Sequence, residues 1–519
     1  MADILIGIDS GTSVIKAVAF DLAGRQLAAF AVPNTYQTKA DGSATQSLTQ
    51  TWEDCARAVR GLADKLPGLA HRTAAVSVTA QGDGTWLVGK GNAPVGEAWL
   101  WLDARAAPTV ERLSASAMNR ARFEATGTGL NTCQQGSQMA HMDRFAPELL
   151  EAAEVALHCK DWLYLNLTGV RATDPSEASF TFGNFRTRAY DATVIEALGL
   201  THRRGLLPEI VDGTQITHPL TEAAAQATGL LAGTPVSLAY VDMAMTAFGA
   251  GVHTGQPAAC SIVGSTGVHL RSTDVAGVHL NAEGTGYVIA LPIPGIVTQV
   301  QTNMAATLNI DWALRMAADL MSDLGTPTKY ADLMPLIDGW LEASKPGALI
   351  YHPYISEAGE RGPFVNANAR AGFIGLSSQT RFADLLRGVV EGLGMAMRDC
   401  YSAMGALPNE LRLTGGAARS KALRQVLSAA VNAPVRVSSR QEAGAAAAAM
   451  MAAVAVGVYP TMEACVAEWV TPLLGEAEAP DADLSDIYAR LYPSYKEARE
   501  ALPPIWASLT AIREETGVK

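Results

Sequence analysis

Close cysteine pairs are missing from this chain. Its six cysteines (Cys55, Cys133, Cys159, Cys260, Cys400 and Cys465) stand far apart and form no CxxC pair. That suggests neither a disulfide framework nor a zinc site, and fits buried thiols in a reducing compartment. Charge is sparse as well. Asp, Glu, Lys and Arg make up 17% of the 519 residues, the net charge is -12 and no basic face is evident along the chain, so nucleic acid is not an expected partner. An anionic ligand is not forbidden, but its phosphates must be held by local amides, a metal and a few cations. The most apolar run, 443–459, is alanine-rich and bounded by Glu442 and Pro460. It is short for a membrane span and reads as a buried helix packed tightly on its neighbours. Strand pattern begins by Ile4, which leaves no room for a leader and predicts a soluble, cytoplasmic protein with no membrane partner. Low-complexity segments and long linkers are lacking too. With 49% hydrophobic residues over this length, two well-buried domains are expected.

What the chain does have is a patterned beginning. Residues 4–21 read as two apolar β runs joined by a turn of Ser10, Gly11, Thr12 and Ser13, the form of a hairpin. Gly11 is expected to adopt backbone angles closed to larger residues and to let a ligand approach the main chain. Successive amides there, with the hydroxyls of Ser10, Thr12 and Ser13, would make a concave anion site. Asp9, closing the first run, is placed to hold a divalent cation beside it. A plain polar turn with a capping Asp explains this stretch equally well. The second half breaks the tie: Cys260-Ser261-Ile262-Val263-Gly264-Ser265-Thr266-Gly267-Val268-His269-Leu270 repeats strand, Gly/Ser/Thr turn, strand. Two such hairpins roughly 255 residues apart suggest a duplicated domain, with two phosphate-binding turns facing across a cleft.

Between and after them, strands alternate with helical patterns, which implies an α/β sheet with ligands gathered where strands end. A strand over 74–79 delivers Gln81, Gly82 and Asp83. The run Trp99-Leu100-Trp101-Leu102-Asp103-Ala104-Arg105 offers an acceptor and a donor for hydroxyl groups, or else a salt-bridged helix start capped by Asp103. Residues 41–46 read as a polar loop. A strand from 234 is expected to run to Asp242 at its end, where the carboxyl serves as a general base or merely caps the helix that follows. Residues 411–420 read as strand, glycine turn and helix, a place for a flat heterocycle. Beyond Pro480 a surface helix carries Tyr488, Leu491 and Tyr495, packed back on the second domain.

In this order the pieces resemble the FGGY family of carbohydrate kinases. The resemblance covers Ile4 to about Tyr459. It rests on Gly7-Ile8-Asp9-Ser10-Gly11-Thr12-Ser13, Asp242, Gly264-Ser265-Thr266-Gly267, Gly359-Glu360-Arg361-Gly362-Pro363, Arg387-Gly388-Val389-Val390-Glu391-Gly392 and Thr414-Gly415-Gly416-Ala417. It implies two ribonuclease-H-like (actin-like ATPase) domains with ATP and sugar in a central cleft. The first domain would span 1–252 and the second 253–460, with a helical extension over 461–519. By the same resemblance Asp242 is the base, and Asp9 with Asp242 positions Mg²⁺. Gly11, Thr12, Ser13, Gly264, Ser265, Thr266 and Gly267 hold the phosphates. Gly415, Gly416, Ala417 and Ser420 form the adenosine pocket. Gln81, Gly82 and Asp83 contact the sugar, with Asp103 and Arg105 extending that wall. Gly82-Asp83 stands where glycerol kinases carry Arg-Glu, and Met243 follows Asp242 where they have glutamine, so glycerol is not the expected acceptor. The 81–86 and 99–105 runs look most like those of the erythritol kinases, and more loosely like those of L-xylulose kinases. The expected acceptor is a small polyol, erythritol first, with a pentulose as the alternative. A sugar sensor of the same fold, or an ATP-driven chaperone, is the reading from another class. The sequence leaves the oligomeric state open, a homodimer being one option.

Overall fold

A computed structural model describes residues 2–517. It is an α/β protein built on two six-stranded sheets. In the first, the spatial order is Thr217–Pro219, Pro235–Leu238, Thr73–Ala80, Ile4–Ser10, Val14–Asp21 and Gln26–Pro33. In the second it is Tyr287–Ala290, Ile296–Asn303, Gly267–Asp274, Ala259–Val263, Leu411–Thr414 and Val435–Val437. Each sheet holds the same five-strand pattern. An antiparallel meander of three strands has its first member paired in parallel to a later strand, which is paired in parallel to a still later one. The parallel partners arrive through helical crossovers, as parallel pairing requires. The duplication expected from the two glycine turns is therefore present in the sheets.

Ile4–Ser10 is central and covered on both faces, which is why it reads as a nearly unbroken apolar run. One of its covers comes from the far end of the chain. The alanine-rich helix Ala443–Ala455 lies on this strand so closely that a Cβ on Gly7 would stand 1.9 Å from the Ala445 carbonyl oxygen. Helix Asp242–Gly249 crosses the same helix, where a Cβ on Gly249 would be 2.1 Å from the Ala443 oxygen. Small side chains at 443–453 are what permit these approaches, and Ala445–Ala453 are fully buried in one core with Leu5, Val18, Phe20 and Ala75. No described helix is long and apolar enough to cross a membrane.

Several local expectations change. The polar loop at 41–46 contains a short strand, Ala44–Gln46, which pairs with Ala98–Trp99. The strand entering Asp242 stops at Leu238, and Asp242 is instead the first residue of the next helix, whose N-cap position is taken by Val241. The extension after 460 divides between the lobes. Trp469 of helix Met462–Trp469 lies 5.4 Å from the Phe20 ring and donates to the Leu22 carbonyl at 3.2 Å, on the first sheet. Helix Ala482–Ala501 packs on the second lobe, with Tyr488 donating to Glu391 at 2.9 Å and Tyr492 to Asp399 at 2.8 Å.

Candidate active site

Three parallel strands of the first sheet end along one edge. Register places Asp9 beside Thr79 and Ser10 beside Ala80, and the Gln81 amide donates to the Ser10 carbonyl at 2.9 Å. The Ala239 amide donates to Val78 at 3.0 Å, and the Thr79 hydroxyl to the Tyr240 carbonyl at 2.6 Å. These bonds bring the Gly11 turn, Gln81–Asp83 and the head of the 242 helix together, the edge at which α/β sheets bind ligands.

The turn itself is short. Gly11 donates to the Val14 carbonyl at 3.0 Å and is fixed through its own carbonyl by the Asn34 side chain at 2.9 Å. Gly11 does not adopt a positive φ, contrary to expectation. Thr12 is partly buried and Ser13 exposed. Thr12 donates to Gln81 Oε1 at 2.8 Å and accepts from the Trp101 indole at 2.9 Å. Gln81 in turn donates to Gln46 at 2.7 Å. In the second sheet the Gly264 amide closes on the Thr266 carbonyl at 3.0 Å, and Ala306 and Thr307 donate to the Ser265 and Gly264 carbonyls. Ser265 and Thr266 are exposed, Gly267 is buried, and nothing lies within 4 Å of a Cβ built on Gly264. The missing side chains leave peptide groups uncovered; they do not relieve strain. Gly415 differs. Its φ is +88° and a Cβ there would meet the Val263 carbonyl at 2.6 Å, so glycine is required. Gly416 is open, Ala417 buried, and Ser420 caps helix Lys421–Val431 by accepting from Leu423 at 3.2 Å while donating to Asp338 at 3.0 Å.

Asp9 and Asp242 keep some solvent contact but are recessed deep in the protein. Burial, followed by the negative charge of Asp9, pushes Asp242 up to about 8, against the amides of Met243 and Gly82 that face its carboxylate. Burial raises Asp9 to about 6, opposed by Lys16, which pairs with it across the hairpin and also bonds Glu442 at 2.8 Å. Two carboxyls that resist ionising together are the donor set a hard divalent cation relieves. Among the described residues no cluster of three or more His, Cys, Asp or Glu could hold a metal. A cation held by Asp9 and Asp242 would take the rest of its shell from water and phosphate.

Asp83 sits at φ +56°, followed by Gly84 at +75°. Its Oδ2 accepts from the Tyr287 hydroxyl at 3.2 Å and the Cys133 thiol at 3.3 Å, while its buried Oδ1 has no partner. Burial, foremost, holds its carboxyl above the usual range. Gly82 has room for no side chain, since a Cβ would lie 2.4 Å from Val241 Cγ2.

Asp103 and Arg105 are not brought into this cluster by any bond. Asp103 accepts from the Ala44 amide at 2.9 Å and pairs with Arg105 at 2.6 Å, and the Arg105 guanidinium stacks 3.4 Å from the Trp99 ring centroid. The pair locks the loop that carries Trp101. Lys16, opposite Asp9, was readable from hairpin register. Tyr287 and Cys133 had no local signal, because their neighbour at the site, Asp83, is remote in sequence. A surface hollow lined by Gly24, Arg440 and Trp469 lies at the other end of strand Val14–Asp21.

Residues 4–249 match the N-terminal domain of the FGGY family of carbohydrate kinases, and residues 228–456 match its C-terminal domain. The chain belongs to this family. Erythritol kinase from Brucella abortus is 73% identical over 510 residues, covering 98% of each chain. Xylulose kinase from Staphylococcus epidermidis is 25% identical over 98% of this chain and 99% of its own. Gluconate kinase from Lactobacillus acidophilus superposes with a TM-score of 0.87 at 21% identity over 98% of this chain and 99% of that one, a likeness of fold alone. As an FGGY kinase the protein is a phosphotransferase with ATP as one substrate.

Proposed function

We propose that this kinase phosphorylates erythritol, moving the γ-phosphoryl of ATP to a terminal primary hydroxyl of that polyol. The observation that carries the reading is the 73% identity with the Brucella abortus erythritol kinase along nearly the whole chain. Asp242 takes the proton from the attacking hydroxyl. A carboxyl raised to about 8 is a stronger base than an ordinary Asp, and a base near the working pH is well matched to the task. Gln81, Gly82 and Asp83 bind the polyol, where the unpartnered Asp83 Oδ1 offers an acceptor to a hydroxyl. Asp103 and Arg105 shape that wall by fixing its backbone. The turns at Gly11, Thr12, Ser13 and at Gly264, Ser265, Thr266, Gly267 present amides and hydroxyls to the phosphates. Gly415, Gly416, Ala417 and Ser420 border the adenosine. Asp9 and Asp242 hold Mg²⁺, which when bound supplies positive charge against the phosphates. Such a site works mainly by placing reactants and compensating charge, as phosphoryl transfer demands.

A coupled ADP-release assay tests this with MgATP and erythritol, glycerol, xylitol, ribitol, L-xylulose, D-xylulose and L-ribulose. Strong turnover on erythritol is expected. Preference for a pentulose would overturn the substrate, and silence on every acceptor would overturn the kinase reading of the wall.

A further inference from the structure

Next to the start of the Asp242 helix lies a set of buried charges. Lys160, on helix Cys159–Thr168, is fully buried and pairs with Asp161 at 2.5 Å and Asp174 at 2.6 Å. Asp174 Oδ2 accepts from both the Ser176 amide at 2.6 Å and the Ser176 hydroxyl at 2.5 Å. The Ser176 oxygen then accepts from the Val241 amide at 3.0 Å. Val241 immediately precedes Asp242, and its N–H is one that the helix it opens leaves without an internal partner. The next residue of the same turn, Glu177, is also fully buried. Its Oε1 lies 3.3 Å from the position of a Cβ on Gly82, whose amide faces the Asp242 carboxylate. The first turn of helix Pro175–Thr181 thus touches both chain segments that set where Asp242 points.

Apolar side chains fill a core at least as stably as a buried ion cluster. What the ions add here is direction. Lys160 fixes the Asp174 carboxylate, the carboxylate orients the Ser176 hydroxyl, and a lone pair of that hydroxyl is left aimed at one amide. We propose that Lys160, Asp174 and Ser176 form a positioning relay that fixes the Val241–Asp242 backbone, holding the Asp242 carboxylate in line with the acceptor hydroxyl. The inference rests on the reading of Asp242 as proton acceptor. These residues touch neither substrate, so their effect belongs to turnover and not to binding. A displacement of about 1 Å in a reacting group is enough to cost on the order of a hundredfold in rate.

The test compares kcat and KM for erythritol in the full-length enzyme and in its Ser176→Ala, Ser176→Thr and Asp242→Asn variants, with thermal melting to establish folding. Ser176→Ala is expected to lower kcat by roughly 10- to 100-fold with KM within about twofold, and Ser176→Thr, which restores the hydroxyl, to recover most of it. A folded Ser176→Ala enzyme with wild-type kcat, or with only KM changed, overturns the relay. So does a loss that threonine fails to recover. Should Ser176→Ala not fold, Ser176→Cys keeps the volume with a weaker acceptor, and the same split between kcat and KM decides. Failure of the underlying reading looks different: wild-type enzyme inert toward erythritol, or Asp242→Asn as active as wild type, removes the base itself and the relay with it.

Discussion

Tyr287 donates its hydroxyl to Asp83 Oδ2 at 3.2 Å, joining a strand of the second sheet to the loop that follows Gln81 in the first. A residue proposed to bind the acceptor is therefore held from the opposite half of the chain. Tyr287→Phe removes that donor and leaves a buried carboxyl with the Cys133 thiol alone. The lost bond is expected to cost about 1–2 kcal/mol, read as a rise of about 5- to 30-fold in KM for the acceptor with KM for ATP unchanged. Steady-state kinetics on both substrates check it.

Asp242→Asn keeps the shape of the side chain and abolishes its basicity. A general base contributes about 10²–10⁴ to rate, so kcat is expected to fall by roughly a thousandfold while ATP still binds. Rapid-quench turnover together with calorimetric nucleotide binding separates the two. Near-normal turnover in the variant would overturn the role given to Asp242.

Gly7→Ala is expected to be severely destabilising. The new Cβ would sit 1.9 Å from the Ala445 carbonyl oxygen, a backbone atom that cannot swing aside. Overpacking of this kind costs about 3 kcal/mol, enough to lower the melting temperature by several degrees in a chain of this size. Calorimetric or fluorescence melting is the measurement, and a variant melting with wild type would contradict the contact.

Glu360 gives a pH prediction. Its carboxyl is nearly enclosed, with Oε1 accepting from the Met304 amide at 2.9 Å and the Arg361 amide at 2.8 Å and Oε2 unpartnered. Burial raises it to about 7, against amide bonds that act the other way. The folded protein then binds the proton more tightly than the unfolded chain. Stability from this group is full below about pH 4.5, declines as pH rises and is lost through pH 7. Wild type is expected to lose about 2–3 kcal/mol relative to Glu360→Gln between pH 5 and 8. Denaturant melts of both proteins across that range test it, and parallel pH curves would refute it.

The parts of this structure that were legible in the sequence are those whose partners lie close along the chain. The two hairpins announce themselves because strand, turn and strand are contiguous, and their equivalence follows from the repeated Gly/Ser/Thr turn. The local setting of Asp242 was not legible, since the apolar run 239–241 reads as strand although the strand ends at Leu238. Gly11 drew attention for conformational freedom it does not use, whereas Gly415, in a similar tight turn, does use it. Asp103 and Arg105 read either as ligand groups or as a salt-bridged pair, because two opposite charges end an apolar run. Two residues apart, they satisfy each other first. Lys160, Asp174 and Val241 meet only after the sheet has formed, and no local periodicity marks such a meeting.

Helix Ala443–Ala455 has a consequence for how the molecule is made. Strand Ile4–Ser10 leaves the ribosome well before one of the elements that cover it, which follows about 430 residues later. At elongation rates of about 5–20 residues per second, the inner face of the first sheet waits tens of seconds for its cover. A nascent chain halted anywhere before residue 443 carries an exposed apolar sheet, so the amino-terminal half is a poor candidate for expression by itself and a natural client for chaperones during synthesis.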